Sequence, residues 1–91
     1  MKDTAKAIWN YIKSHDGEDF TAQDIADATG IGIKSVNGTV TAAFQRFRDE
    51  EKNPCPLTFR EEAVIETEDG SKKTVKFIRL TDAGRDKEFD D

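Results

Sequence analysis

The chain has 91 residues, of which 35% are hydrophobic and 36% are charged, and its formal net charge is −5. This length predicts a single domain with a small core, and no apolar run approaches the ~20 residues of a membrane-spanning helix. The acidic balance argues against indiscriminate nucleic-acid binding, because affinity for phosphate comes from Lys and Arg. Residues 1–11 do not resemble a signal peptide, and the single Cys55 cannot form an internal disulfide. We therefore expect a cytoplasmic protein with no membrane partner.

The first predicted helix covers about residues 4–14, with Asp3 or Thr4 as its N-cap. Four apolar residues recur in it at helical spacing and predict a buried face: Ala5, Ile8, Trp9 and Ile12. Trp9 is accordingly predicted to be a core residue rather than a surface for stacking on a base. Phe20, which follows this helix, is predicted to pack inward.

The second predicted helix covers about residues 22–29 and is only two turns long. Thr21 and Asp24 have the spacing of a capping box at its start. Gly30 stands where a left-handed residue commonly ends a helix. A short helix followed by a glycine-centred turn is typical of the first half of a helix-turn-helix.

The third predicted helix covers about residues 33–48, a range without any Asp or Glu. Its apolar stripe predicts a core-facing side: Ile33, Val36, Val40, Ala43, Phe44 and Phe47. The opposite side is short-chained and polar at its start and cationic at its end. The third predicted helix would be the second helix of the helix-turn-helix unit, which can lie in a DNA major groove. Gly38 costs about 1 kcal/mol relative to Ala inside a helix, and a close approach to a backbone, of protein or of DNA, would explain it.

A hairpin is predicted after the third helix, beyond a polar loop at residues 49–56 whose prolines prevent the helix from continuing. Residues 57–67 and 74–80 are rich in Val, Ile, Thr and Phe, and Asp69-Gly70 between them is a strong turn signal. The alternation leaves open which face of the second strand is buried. One alternative buries Ile78 and Leu80; the other buries Val75 and Phe77.

The order of elements predicts an α+β, mainly α, fold that occupies residues 1–91 as one domain. It is a winged helix-turn-helix, in which a three-helix core is followed by a two-stranded β-hairpin wing at about 57–80. Thr81 is predicted to cap a short C-terminal helix or tail at 81–91 with a frayed acidic end.

The sequence resembles the winged-helix domains of MarR-type and related small bacterial or phage regulators. The resemblance lies in FTAQDIA at 20–26, GI at 30–31, KSVNGTV at 34–40 and IRLTDAGR at 78–85. It implies transcription regulation, with two groups of residues on double-stranded DNA. Those facing the major groove would be Lys34, Ser35, Asn37, Gly38, Thr41 and Gln45. At the wing tip, near the flanking backbone, would be Lys72 and Lys73. Ligand sensing and a MarR-style dimer are not implied, because the long terminal helices are absent and the loop at 49–56 replaces a short apolar link.

The residue types fit direct readout of bases at the start of the third helix. Asn binds adenine bidentately and Lys contacts guanine, and the first-turn residues Lys34, Ser35 and Asn37 are candidate contacts to base edges or phosphates. Candidate phosphate contacts, which position a protein without specifying sequence, are Gln45, Arg46, Arg48, Lys72, Lys73 and Lys76. The competing hypothesis is a protein-interaction module or adaptor that presents its acidic faces to a basic partner. A homodimer is also open.

Catalysis has little support in the sequence. His15 is the only histidine, and one His with one Cys cannot supply a zinc site without several carboxylates. No calcium-loop spacing and no Gly-rich phosphate loop is present. We therefore expect no enzyme activity, catalytic residue, metal or cofactor.

Overall fold

A computed structural model describes residues 1–89 of the chain. The helices are α1 (Asp3–Ser14), α2 (Ala22–Thr29), α3 (Ile33–Thr39) and α4 (Asp82–Asp86). A π-helical segment (Val40–Gln45) continues α3, and strands β1 (Thr58–Glu66) and β2 (Lys72–Leu80) form an antiparallel hairpin before α4. The α+β prediction is confirmed, and this order of elements is compatible with a winged-helix layout. Among residues 1–89, no helix has the length and apolar character that crossing a membrane requires.

The core lies between the first three helices and the base of the hairpin. Trp9 is 4% exposed, and its ring lies 4.7 Å from that of Phe44. Ile8 and Ile12 are fully buried beside it, whereas Ala5 is half-buried. The predicted core position of Trp9 is confirmed, as is the inward packing of Phe20. The Phe20 carbonyl also accepts a hydrogen bond from the Ile78 N–H of β2 at 2.9 Å, which ties the hairpin to the helices.

The capping box and the glycine predicted for the two ends of α2 are both present. Asp24 N–H donates to Thr21 Oγ1 at 3.2 Å and Thr21 N–H donates to Asp24 Oδ2 at 2.9 Å, so the predicted capping box is present. Gly30 follows the helix with φ 76°, in the left-handed region. The N-cap prediction for α1 is wrong: Lys2 is its N-cap, without a side-chain cap bond, and Asp3 lies in the first turn. There the Asp3 carboxylate faces the positive end of the helix dipole.

The third helix is shorter than the predicted 33–48 and changes type along its length. The Arg46 N–H donates to the carbonyl of Thr41, five residues earlier, at 3.0 Å, which makes Arg46 the C-cap of the π-helical segment. Arg48 lies beyond the helix. The fully buried residues recur every fourth position: Val36, Val40 and Phe44. The predicted stripe is therefore too wide, since Ile33 is 37% exposed and Ala43 and Phe47 are only half-buried.

The polar loop at 49–56 is an ordered turn. Asp49 Oδ1 accepts hydrogen bonds from the N–H groups of Glu51 and Asn53, both at 2.9 Å. Arg48 forms an isolated β-bridge with Pro54. Lys34, Ser35, Gly38 and Ala42 on the outer side of α3 and its continuation are exposed, so the loop leaves that side open.

The hairpin register decides the question that alternation left open. Thr58 pairs with Leu80 and Glu66 pairs with Lys72, so β2 begins two residues before the predicted position 74. Ile78 and Leu80 are the buried pair. The other face of the hairpin points away from the core and exposes apolar side chains, including Phe59 at 45% and Ile65 at 39%. The predicted turn is confirmed, with Gly70 at φ 84°.

The C-terminal segment is docked on α1 as far as the structure describes it. The Gly84 N–H donates to Thr81 Oγ1 at 3.0 Å, as predicted for the cap. Lys13 Nζ donates to the carbonyl oxygens of Gly84, Arg85 and Lys87 at 3.1, 2.6 and 3.1 Å. The ring of Phe89 lies 5.3 Å from that of Trp9, edge to face. The prediction of a frayed end is therefore wrong up to residue 89; Asp90 and Asp91 lie outside the described residues.

Candidate nucleic-acid interface

One side of α3 and its π-helical continuation is exposed and free of acidic residues. We call this surface the α3 strip and define it by its exposed members, Lys34, Ser35, Gly38 and Ala42. Its orientation follows from the opposite side of the helix, where Val36 and Val40 are fully buried. The strip is therefore presented to solvent by core packing.

Gly38 has no partner inside the chain that would explain it. A Cβ at this position would meet no atom within 4 Å beyond the local helix backbone. The suggested close approach to a protein backbone is thus absent within the described residues. Glycine in a helix interior is nevertheless destabilising by about 0.5–1 kcal/mol. Because Gly38 has no side chain, the helix backbone at this point of the strip is open to close approach by an external group.

Three predicted contact residues are only partly available. Asn37, Thr41 and Gln45 are half-buried, at the edge of the strip that faces the hairpin. Asn37 Oδ1 accepts a hydrogen bond from Arg60 Nη1 at 2.9 Å, and Gln45 Oε1 accepts one from Arg60 Nε at 3.2 Å. A single guanidinium from β1 therefore bridges the two amides of α3 and its continuation.

The sequence did not identify Arg60, because the strand register that places it is visible only in the structure. Arg60 is the cross-strand partner of Ile78, which is fully buried, so the two residues share the face that packs on the helices. Burial lowers the pKa of the Arg60 guanidinium, and Arg60 Nη2 is buried without a hydrogen-bond partner. Thr58 Oγ1, on the same face, is likewise buried and unpaired.

The two arginines predicted at the end of the helix are in different situations. Arg46 is exposed in the turn that follows the π-helical segment. Arg48 Nη1 donates to the carbonyl oxygen of Lys52 at 2.8 Å. Arg48 stabilises the loop, and Arg46 is the cation closer to the α3 strip along the chain.

The lysines of the hairpin have acidic neighbours that their own strand does not reveal. Lys72 lies opposite Glu66 and Lys76 lies opposite Glu62, whereas Lys73 lies opposite Ile65. From Thr58 to Leu80 the hairpin has five basic and five acidic residues, so its net charge is zero. The absence of acids in residues 71–79 therefore overstates the positive charge of this surface.

Five predicted cations remain outside internal ion pairs. Within residues 1–89 no carboxylate lies within 4.0 Å of Lys34, Arg46, Lys72, Lys73 or Lys76. Arg79, by contrast, is bonded to Asp19 at 2.7 Å and to Glu61 at 3.3 Å. The cations available for an external anion are thus those near the α3 strip and along the hairpin.

Potential metal-ligating side chains do not cluster in the described part of the chain. No group of three or more His, Cys, Asp or Glu side chains in residues 1–89 is arranged to hold a metal ion. The ring of His15 stacks on Tyr11 at 3.9 Å, and its Nδ1 lies 2.8 Å from the Tyr11 carbonyl. His15 therefore has a packing role at the end of α1 and is half-buried.

Comparison with known proteins finds no match for this chain among protein-family models, curated proteins or solved structures. The resemblance to MarR-type regulators consequently remains a prediction from the sequence motifs.

Proposed function

We propose that the chain is a small winged-helix protein that binds double-stranded DNA in a sequence-specific manner, as a bacterial or phage transcription regulator. The α3 strip would enter the major groove, and the hairpin would act as a wing on the flanking backbone. The observation that carries the proposal is the α3 strip itself, which is exposed and acid-free. It also contains a glycine, Gly38, that no contact within the described residues requires.

Two cations near the strip support this proposal. Lys34 lies on the strip and Arg46 follows the helix, and both are outside internal ion pairs. The neutral hairpin adds fewer net charges than its lysines suggest. With about three to five phosphates neutralised, log K would fall with log salt at a slope of roughly −2.7 to −4.5. Binding to DNA that lacks the preferred sequence would therefore be weak, and binding to any DNA would weaken as the salt concentration rises.

Binding to labelled random-sequence and genomic duplexes at ~50 mM salt tests the proposal. We expect a mobility shift that is lost as salt rises and competed more strongly by a subset of genomic fragments. No binding by the wild-type protein at tens of micromolar would reject DNA recognition. Circular dichroism on the same sample ensures that the tested protein is folded.

A protein-interaction module is the second candidate, and the outer face of the hairpin favours it. Phe59 and Ile65 are large apolar side chains on that face and are 45% and 39% exposed. Aromatic side chains are enriched in protein–protein interfaces, and both side chains are available to pack against a partner. If this function is correct, Phe59→Ser would abolish complex formation while leaving the melting temperature nearly unchanged. In the DNA-binding proposal, the same variant would bind duplexes as the wild type does.

A further inference from the structure

We infer that Arg60 is a positioning residue for base readout, which holds the side-chain amides of Asn37 and Gln45 with their oxygens toward the hairpin and their amino groups toward the ligand. The inference rests on the proposed DNA binding and specifies how that surface selects a sequence. It assigns to Arg60 a role in specificity without a contact to a base.

The orientation of both amides follows from hydrogen-bond chemistry. Arg carries only donors, so the atoms that it bonds must be the amide oxygens. Arg60 Nη1 lies 2.9 Å from Asn37 Oδ1, and Arg60 Nε lies 3.2 Å from Gln45 Oε1. Each amide then has its NH₂ group, with two donors, on the side away from Arg60.

The position of Arg60 is determined by the hairpin and not by the helical residues whose amides it orients. Its cross-strand partner Ile78 is fully buried and anchors this face to the core. The planar fork of a guanidinium reaches two acceptors with little freedom. One donor, Arg60 Nη2, is buried and unpaired, which is unfavourable for folding. The arrangement therefore sacrifices a hydrogen bond while fixing two side chains on the edge of the α3 strip.

This orientation changes the base preference expected of Asn37. Bidentate binding of adenine requires the Asn oxygen to accept from N6 while the amino group donates to N7. With Oδ1 turned to Arg60, Asn37 offers donors, and Gln45 does the same. Guanine, which presents acceptors at both O6 and N7, and thymine, which presents O4, match such a surface, whereas adenine offers a single acceptor, N7, beside the N6 donor.

Selection of binding sites from a randomised duplex library, with wild type and Arg60→Met, tests the inference. Met keeps an unbranched stem but removes every donor, so both amides become free to rotate. We expect the wild type to enrich guanine or thymine at the readout positions. In Arg60→Met that preference should weaken by about 5- to 150-fold, the discrimination typical of one bidentate contact, and adenine should become accepted.

Lys76→Met is the matched control, because it removes one cation from the same face of the hairpin without touching an amide. It should enrich the same sites as wild type, with uniformly lower affinity and a salt slope smaller by about 0.9. Both variants lose one positive charge, but Lys76→Met should keep the base preference of the wild type, whereas Arg60→Met should change it.

Asn37→Asp keeps the test decisive if Arg60→Met does not fold, since a carboxylate still accepts from Arg60. It offers no donor, and we expect its selected sites to shift from guanine or thymine toward cytosine, whose N4 amino group donates. Enriched sites identical to those of wild type, for Arg60→Met or, if that variant does not fold, for Asn37→Asp, would overturn the role of Arg60 and leave DNA binding standing. Absence of wild-type binding to any duplex would overturn both.

Discussion

Replacing Gly38 by Ala is expected to strengthen the fold and weaken DNA binding at once. The new Cβ would meet nothing within 4 Å beyond the local helix backbone, and Ala is about 1 kcal/mol more favourable than Gly in a helix interior. For a domain of this size that gain raises the melting temperature by about 4–8 °C. At a close-packed interface, however, an added methyl group typically costs about 1–3 kcal/mol, which corresponds to at least about fivefold weaker binding.

Thermal denaturation followed by circular dichroism and fluorescence anisotropy with a labelled duplex would measure the two effects on one sample. Gly17→Ala is the matched control: its Cβ also meets nothing within 4 Å, but its φ of +86° disfavours a side chain. Gly17→Ala should lose about 1 kcal/mol of stability and retain its affinity for DNA per folded molecule. A stabilised Gly38→Ala protein with unchanged affinity would refute the close approach of DNA to the strip. A destabilised one would refute the open geometry.

Three further outcomes are expected. Gly84→Ala should destabilise the domain by about 3 kcal/mol, because its Cβ would overlap the backbone carbonyl oxygen of Leu57 and lie 2.9 Å from the carbonyl carbon; a melting temperature within a few degrees of wild type would contradict this packing. Trp9→Ala removes a buried ring and should cost about 3–5 kcal/mol, which unfolds a small domain, and an unchanged denaturation curve would show that Trp9 is not core. Lys34→Ala combined with Arg46→Ala should reduce the salt slope of DNA binding by about 1.8, whereas an unaltered slope would place the phosphate contacts elsewhere.

The sequence was most informative where a structural feature depends on residues close together in the chain. The capping box of Thr21 and Asp24, the left-handed Gly30 and the turn at Gly70 are all present as predicted. Each feature is determined by side chains or backbone torsions within about one turn. The burial of Trp9 was likewise predictable, because helical spacing alone identifies the apolar face of α1.

Prediction failed where two distant segments decide the outcome. The length of the third helix was overestimated because helical periodicity cannot indicate that the bonding changes to π-helical after Thr39. The candidate phosphate contacts Lys72 and Lys76 lie opposite Glu66 and Glu62, and only the strand register reveals this pairing. A strand register depends on the pairing of two strands along their whole length, so it cannot be read from the residues of β2 alone.

The candidate site shows the same division. From the sequence alone came an acid-free amphipathic helix with Lys34, Ser35 and Gly38 on its polar side, since periodicity assigns faces within a single helix. Only the tertiary structure brought Arg60 to Asn37 and Gln45, because residues on different elements meet through the packing of the hairpin on the helices. The exposed surface is thus encoded locally, whereas the orientation of the hydrogen-bonding groups on its edge is a property of the assembled fold.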